Sequence, residues 1–271
     1  MKPIEPYDTK LNSNNAYWMA RLSREVYQKI SEENTAPDED GILASIKKDD
    51  SKFMSVKGFD EDSAQAALIE HENYLCMAFR GTDELKDWLD NMNAFSREEL
   101  FGEFHRGFWK SVDDLWADLF NHYQILRKGG RRPLFITGHS LGGAMASIAA
   151  ARLAHDDLPF TSVYTFGQPR AMTRSTARLF NVDCKDRYYR FHNNNDLVTR
   201  VPARLMGYAH VGTYIYITQE GDMRQNPGEW FRFVDSVDGA FDDFMKKGID
   251  GIKDHDMGNY LSAVDRWEWD T

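Results

Sequence analysis

Ser140 stands in FITGHSLGGAMASIAAARLA, residues 135–154, between an apolar run and an alanine-rich run, with Gly138 and Gly142 two positions to either side. A G-x-S-x-G turn that follows a strand and opens a helix is the setting that holds a serine Oγ out as a nucleophile. The glycines let backbone and helix come close, and the helix N-terminus aims N–H groups at the place where negative charge develops. The plainer reading is a serine N-cap in a glycine-rich turn. The strand before Ser140 and the long helix after it favour the nucleophile. A serine hydroxyl then needs a base to take its proton, and the base needs an acid to orient it.

Eight histidines compete for the role of base. In a strand–turn–helix serine site the chain order runs Ser, then Asp or Glu, then His. That order removes His71, His105, His122 and His139. The run DRYYRFH reads as a strand ending near His192, and NNNDLVTRVP follows it. Asp196 is therefore an acid in a turn just past a strand's carboxyl end, whereas Asp183 and Asp186 precede that strand. His155 and His192 come before Asp196. His210 comes just before VGTYIYIT, which puts it at the amino end of a strand. His255, in KDHDMGNYL, lies beyond that strand where a loop meets the last helix. The expected set is Ser140 as nucleophile, His255 as base and Asp196 as its orienting acid. The plainer alternatives are a turn aspartate bonding its own backbone and a helix-start histidine.

Elements with the right polarity must position these groups. YLCMAFR, PLFIT, TSVYTFG, DRYYRFH and VGTYIYIT read as strands, and GFWKSVDDLWADLFNHYQILRK, the run after Ser140 and AMTRSTARLF as helices. The alternation implies an α/β fold with a mainly parallel sheet flanked by helices, its site beyond the carboxyl ends of the strands. NSNNAYWMARLSREVYQKI reads as an opening helix capped by Ser13 or Asn14, with Ile30 on its apolar face. SEENTAPDEDG reads as a polar loop, KFMSVKGF and AALIEH as strands, and the part from Gln219 as helical and irregular. The 271 residues suit one domain over 1–271. The chain carries 43 acidic and 33 basic side chains, a formal charge of −10. That balance disfavours nucleic acid as a partner. There is no transmembrane run and no metal-ligand spacing. MKPIEPYDTK lacks the apolar stretch of a signal peptide, so the expectation is a cytoplasmic protein or one exported by a leaderless route. Cys76 and Cys184 read as two separate thiols.

Five stretches resemble the class 3, or fungal-type, triacylglycerol lipases: FRGTDELKDWL, HRGF with a long helix after it, TGHSLGGAMA, YTFGQPR, and NNNDLVTRVP with the late DHDMGNYL. They run from about Tyr74 to Leu261 in family order. The sequence calls for no metal or organic cofactor, and the resemblance implies an α/β-hydrolase fold and a triad on Ser140, Asp196 and His255. It also implies an oxyanion hole from the backbone N–H groups of Thr82 and Leu141, with help from the Thr82 hydroxyl. The plainer role of Thr82 is to cap the next helix. The well-known secreted fungal members carry disulfides and a signal peptide, and an extracellular role is not carried over from them.

TDELKDWLDNM places Leu85, Trp88, Leu89 and Met92 on one helical face, with Thr82 or Asp83 able to cap it. By the resemblance this is a lid helix, over about 83–93, that meets substrate and touches a lipid–water interface transiently. The alternative is a fixed helix packing that face into the core. Trp230, Phe231, Phe233, Phe241 and Phe244 read as core packing in preference to an acyl groove. The implied function is a serine carboxylic-ester hydrolase acting on a lipid ester, a triacylglycerol lipase first. An esterase of small or aryl esters, or a phospholipase A-type enzyme, is the alternative among enzymes. A catalytically silent lipase-like binding protein is the alternative of another class. Acyl length, head group and oligomeric state stay open.

Overall fold

A computed structural model describes residues 2–62, 64–82, 84–91, 95–127, 132–228 and 253–267. Its main sheet has eight strands: β1 (Phe53–Glu61), β2 (Ala64–His71), β3 (Tyr74–Phe79), β6 (Leu134–His139), β7 (Ser162–Phe166), β9 (Tyr188–Asn193), β11 (Thr213–Ile217) and β12 (Met223–Gln225), in that spatial order. β3, β6, β7, β9 and β11 are mutually parallel, while β1, β2 and β12 pair antiparallel at the two sides. The five parallel strands therefore end along one edge, and the segments that leave them there are 80–82, 140, 167 and 194–196.

β3 and β6 have no polar face because both of their faces are covered. Leu75, Met77 and Phe79 join one core, with Leu134 and Ile136, while Tyr74, Cys76 and Ala78 join another, with Phe135. The first core lies under helices α4 (Arg106–Arg127), α5 (Leu141–His155) and α6 (Arg174–Cys184). The second lies under α1 (Ser13–Glu25), α2 (Glu39–Lys47) and α7 (Met257–Arg266). α5 is buried nearly all round, which is why alanine fills it. A further helix, α3 (Leu85–Asn91), follows β3.

Several expectations need correction. The first helix is capped by Asn12, whose side chain accepts from the N–H groups of Asn14 and Asn15, and it ends at Glu25, leaving Ile30 exposed. Part of the supposed loop is helix α2: Asp38 caps it, and Ile42 and Ile46 at i, i+4 anchor it. A second, small sheet was not anticipated. It is built from β4 (Ser96–Glu99), β5 (Gly102–His105), β8 (Met172–Thr173) and β10 (Tyr208–Ala209). The stretch from Gln219 opens with the strand β12. Asp83, Met92 and the five aromatic residues between 230 and 244 lie outside the described residues. Cys76 and Cys184 are free and buried. No helix among the described residues is long and apolar enough to cross a membrane, and those residues hold no metal-ligand cluster.

Candidate active site

Ser140 follows β6 directly and caps α5 with φ 58° and ψ −130°. Its N–H donates to Phe166 O at 2.9 Å, and its own carbonyl accepts from Gly143 and Ala144. The turn is locked between β7 and the helix. The flanking glycines are required by contact. A Cβ on Gly138 would sit 2.2 Å from Gly142 O, and one on Gly142 would sit 2.1 Å from Phe79 O. Those distances leave no space for any other residue type.

Asp196, in the turn after β9, is fully buried. Its Oδ2 accepts from His255 Nδ1 at 2.9 Å and from the Tyr260 hydroxyl at 2.5 Å, and its Oδ1 accepts from Val198 N–H at 2.9 Å. Burial works against the charged carboxylate. The His255 charge and hydrogen bond, with His192 and Tyr260 behind them, outweigh it and hold the carboxyl below its ordinary pKa. Burial and the Asp196 charge push Tyr260 well up, which keeps it a donor. Tyr260 also accepts from Asn193 N–H at 2.9 Å, tying α7 to the end of β9.

The structure thus brings Asp196 and His255 together. Gly167 packs against both: a Cβ there would lie 2.8 Å from Asp196 Oδ2 and from His255 Nδ1. Ser140 Oγ and His255 Nε2 are both buried, and neither has a hydrogen-bond partner. His210 is engaged elsewhere. Its Nε2 donates to Thr199 O at 2.7 Å, and burial, then Arg190 and Arg170, push its pKa well below the usual value. It was placed at the amino end of its strand, remote from the site. It nevertheless reaches Thr199, because the connection from β9 to β11 must run back from the carboxyl end of one strand to the amino end of the next.

A cavity of about 390 Å³ opens beside these groups, lined by Arg24, Tyr27, Thr82, Leu85, His139 and His255 among others. Thr82 is half-buried, and its Oγ1 accepts from Glu84 N–H at 3.1 Å. Leu141, the first residue of α5, is buried. Of the amphipathic face, Leu85, Trp88 and Leu89 are half-buried, and Trp88 stacks on Phe108 with ring centroids 5.8 Å apart. Tyr27, His139 and Tyr260 are site residues that the sequence reading missed. The pairing of S/T/D-type turns with glycines was readable, but these contacts join residues 64 to 116 positions apart.

Residues 76–206 match the family model described as lipase (class 3). A secreted mono- and diacylglycerol lipase A of Penicillium cyclopium is 26% identical over 211 residues, covering 75% of this chain and 66% of that enzyme. A secreted mono- and diacylglycerol lipase 1 of Fusarium solani is 30% identical over 151 residues, covering 54% of this chain and 45% of that one. The chain spans less than two thirds of either relative. A crystal structure from Penicillium cyclopium superposes with a TM-score of 0.67 at 20% identity, covering 78% of this chain and 84% of that one. It supports the α/β-hydrolase fold. The cytoplasmic placement is overturned: the relatives are named as secreted. That placement rested on what the first ten residues lack, and such a lack carries no information about compartment. In motif order, in fold and in the family match over residues 76–206, the chain is similar to the class 3 lipases.

Proposed function

We propose that the chain is a serine carboxylic-ester hydrolase acting on lipid esters through an acyl-enzyme on Ser140. The observation that carries the reading is His255, held at Nδ1 by a buried carboxylate while its Nε2 and Ser140 Oγ, the two atoms that must exchange a proton, are buried and unpartnered. His255 Nε2 takes the Ser140 proton as Oγ attacks the ester carbonyl. The oxyanion is met by the backbone N–H groups of Leu141 and Thr82. The Thr82 hydroxyl accepts from Glu84 and so keeps its own proton free to donate. The tetrahedral species then collapses, the C–O bond to the alcohol breaks, and His255 hands its proton to the leaving oxygen. Water, deprotonated by His255, attacks the acyl carbonyl, and the acid leaves as Ser140 regains its proton. Asp196 stays ionised throughout and stabilises the imidazolium.

Ser140 is 1% exposed and His255 4%. A lipid ester has to enter through the cavity beside them, which Leu85 helps to line. In this reading α3 is a lid whose apolar face turns to lipid when it opens. The stack of Trp88 on Phe108 favours the second reading, an esterase of small esters with α3 fixed. Mono- and diacylglycerols are the first substrates to try, because the Penicillium cyclopium relative is named for them. Hydrolysis of acetyl to palmitoyl esters, below and above the solubility limit of each and with Ser140→Ala as blank, separates the cases. A lipase with a working lid gives rates that rise with chain length and jump above that limit. A peak at short dissolved esters means a fixed helix, and activity equal to the blank throughout removes the hydrolase reading.

A further inference from the structure

His139 precedes the nucleophile and has no part in these proton transfers, yet both of its ring nitrogens are engaged. Nε2 lies 2.7 Å from the backbone carbonyl oxygen of His255, and Nδ1 lies 2.8 Å from the Tyr27 hydroxyl. A carbonyl oxygen can only accept, so Nε2 carries the proton. Burial, and then the neighbouring His255 ring, push the pKa of His139 down to about 3. The ring is neutral, Nδ1 is an acceptor, and Tyr27 is the donor. The His139 ring also packs on the ring of His255, with centroids 4.5 Å apart and planes 32° apart.

His255 needs this support. Its Nε2 must stay open toward Ser140, so Nδ1 makes the one hydrogen bond that orients its side chain. The His139 bond adds a second attachment, on the backbone. We propose that His139 is a positioning residue for the general base: its Nε2–H clamps the His255 carbonyl, and Tyr27 holds it in the tautomer able to do so. The proposal rests on the serine-hydrolase reading of Ser140, Asp196 and His255. Its geometric content is direct. His139 and Ser140 are chain neighbours at the end of β6, so the clamp ties the backbone of the base to the backbone of the nucleophile. That fixes the gap across which the proton moves, and misplacement by about 1 Å typically costs on the order of 100-fold in rate. A neutral His139 also places no like charge against the His255 imidazolium.

The test uses Tyr27→Phe, His139→Phe and His139→Gln, whose amide can still donate to the His255 carbonyl. kcat and KM are measured on a soluble short-chain nitrophenyl ester, and ring-nitrogen NMR reports histidine tautomers. In the wild type, His139 should be in the Nε2–H form and should not titrate between pH 8 and 5. His139→Phe should lower kcat about 10- to 100-fold with KM within about twofold, and His139→Gln should restore most of that loss. Tyr27→Phe should give a mixture of His139 tautomers and a smaller fall in kcat. If His139→Phe does not fold, Tyr27→Phe and the wild-type tautomer decide. An Nδ1–H tautomer in the wild type, a full kcat in His139→Phe, or a loss that His139→Gln shares in full would overturn the clamp. A wild type that takes no fluorophosphonate on Ser140 overturns the hydrolase reading instead, while the tautomer still reports whether the clamp exists.

Discussion

Ser140 holds a left-handed φ of 58°, a conformation that costs a non-glycine residue about 1–3 kcal/mol and that persists only where its surroundings over-determine it. Here the surroundings are the bond to Phe166 and the glycines on either side. The price is met because the turn presents Oγ beside the α5 N-terminus. Asp196→Asn should lower kcat by about 10⁴-fold, since an amide can leave the imidazole in the wrong tautomer; steady-state rates on a dissolved ester check this, with KM little changed. Tyr260→Phe removes one of two donors to a buried carboxylate oxygen. It should cost about 1–3 kcal/mol of stability, read from urea midpoints. A midpoint equal to wild type would mean that the Tyr260 bond contributes nothing. At this scale chain order and strand polarity were enough to pick out Asp196 and His255, which the structure pairs, and Ser140 in the turn between β6 and α5. The sequence was silent on Tyr27, His139 and Tyr260. Those side chains act across turns of tertiary structure, and an ordinary tyrosine on a helix looks the same whether or not it meets a carboxylate.

At the scale of elements, β3 and β6 were legible because burial on both faces leaves apolar runs, and β11 through its alternation of buried and half-buried residues. The small sheet was not. β4 is Ser-Arg-Glu-Glu on an exposed edge, and β8 and β10 have two residues each, too short for any period to show. Helix α2 did carry a signal, an aspartate cap and an i, i+4 isoleucine pair, but the charges before it read as loop. Two predictions belong here. Gly142→Ala places a methyl 2.1 Å from Phe79 O, so α5 must move off β3. The protein should fail to fold or lose more than about 3 kcal/mol, beyond the usual range for overpacking because the obstacle is backbone; thermal melts decide. Trp88→Ala removes the stack on Phe108. In the lid reading it should lower activity on emulsified long-chain esters several-fold while sparing dissolved short ones. Equal losses on both would favour a fixed helix.

The whole molecule carries a formal charge of −10, and burial favours the neutral form of three of its histidines. His139 and His210 are held below the ordinary histidine pKa, and His71 moves the same way because burial outweighs the help of Asp50. A depressed pKa in the folded state means that the unfolded chain binds more protons below about pH 6.5. The stability these groups allow is complete above that pH and is lost as pH falls toward their folded values, about 3 for His139. The slope is up to about 1.4 kcal/mol per pH unit for each fully shifted group. Denaturation midpoints should therefore drop between pH 7.5 and 5.5; an unchanged midpoint would contradict the burial of these rings as neutral species. The most direct test of the central claim, that Ser140 is the attacking atom, is a fluorophosphonate reaction followed by peptide mapping. The account predicts one label per chain, on Ser140, with ester hydrolysis lost in step and no label on Ser140→Ala. A label elsewhere, or hydrolysis that survives full labelling of Ser140, would contradict it.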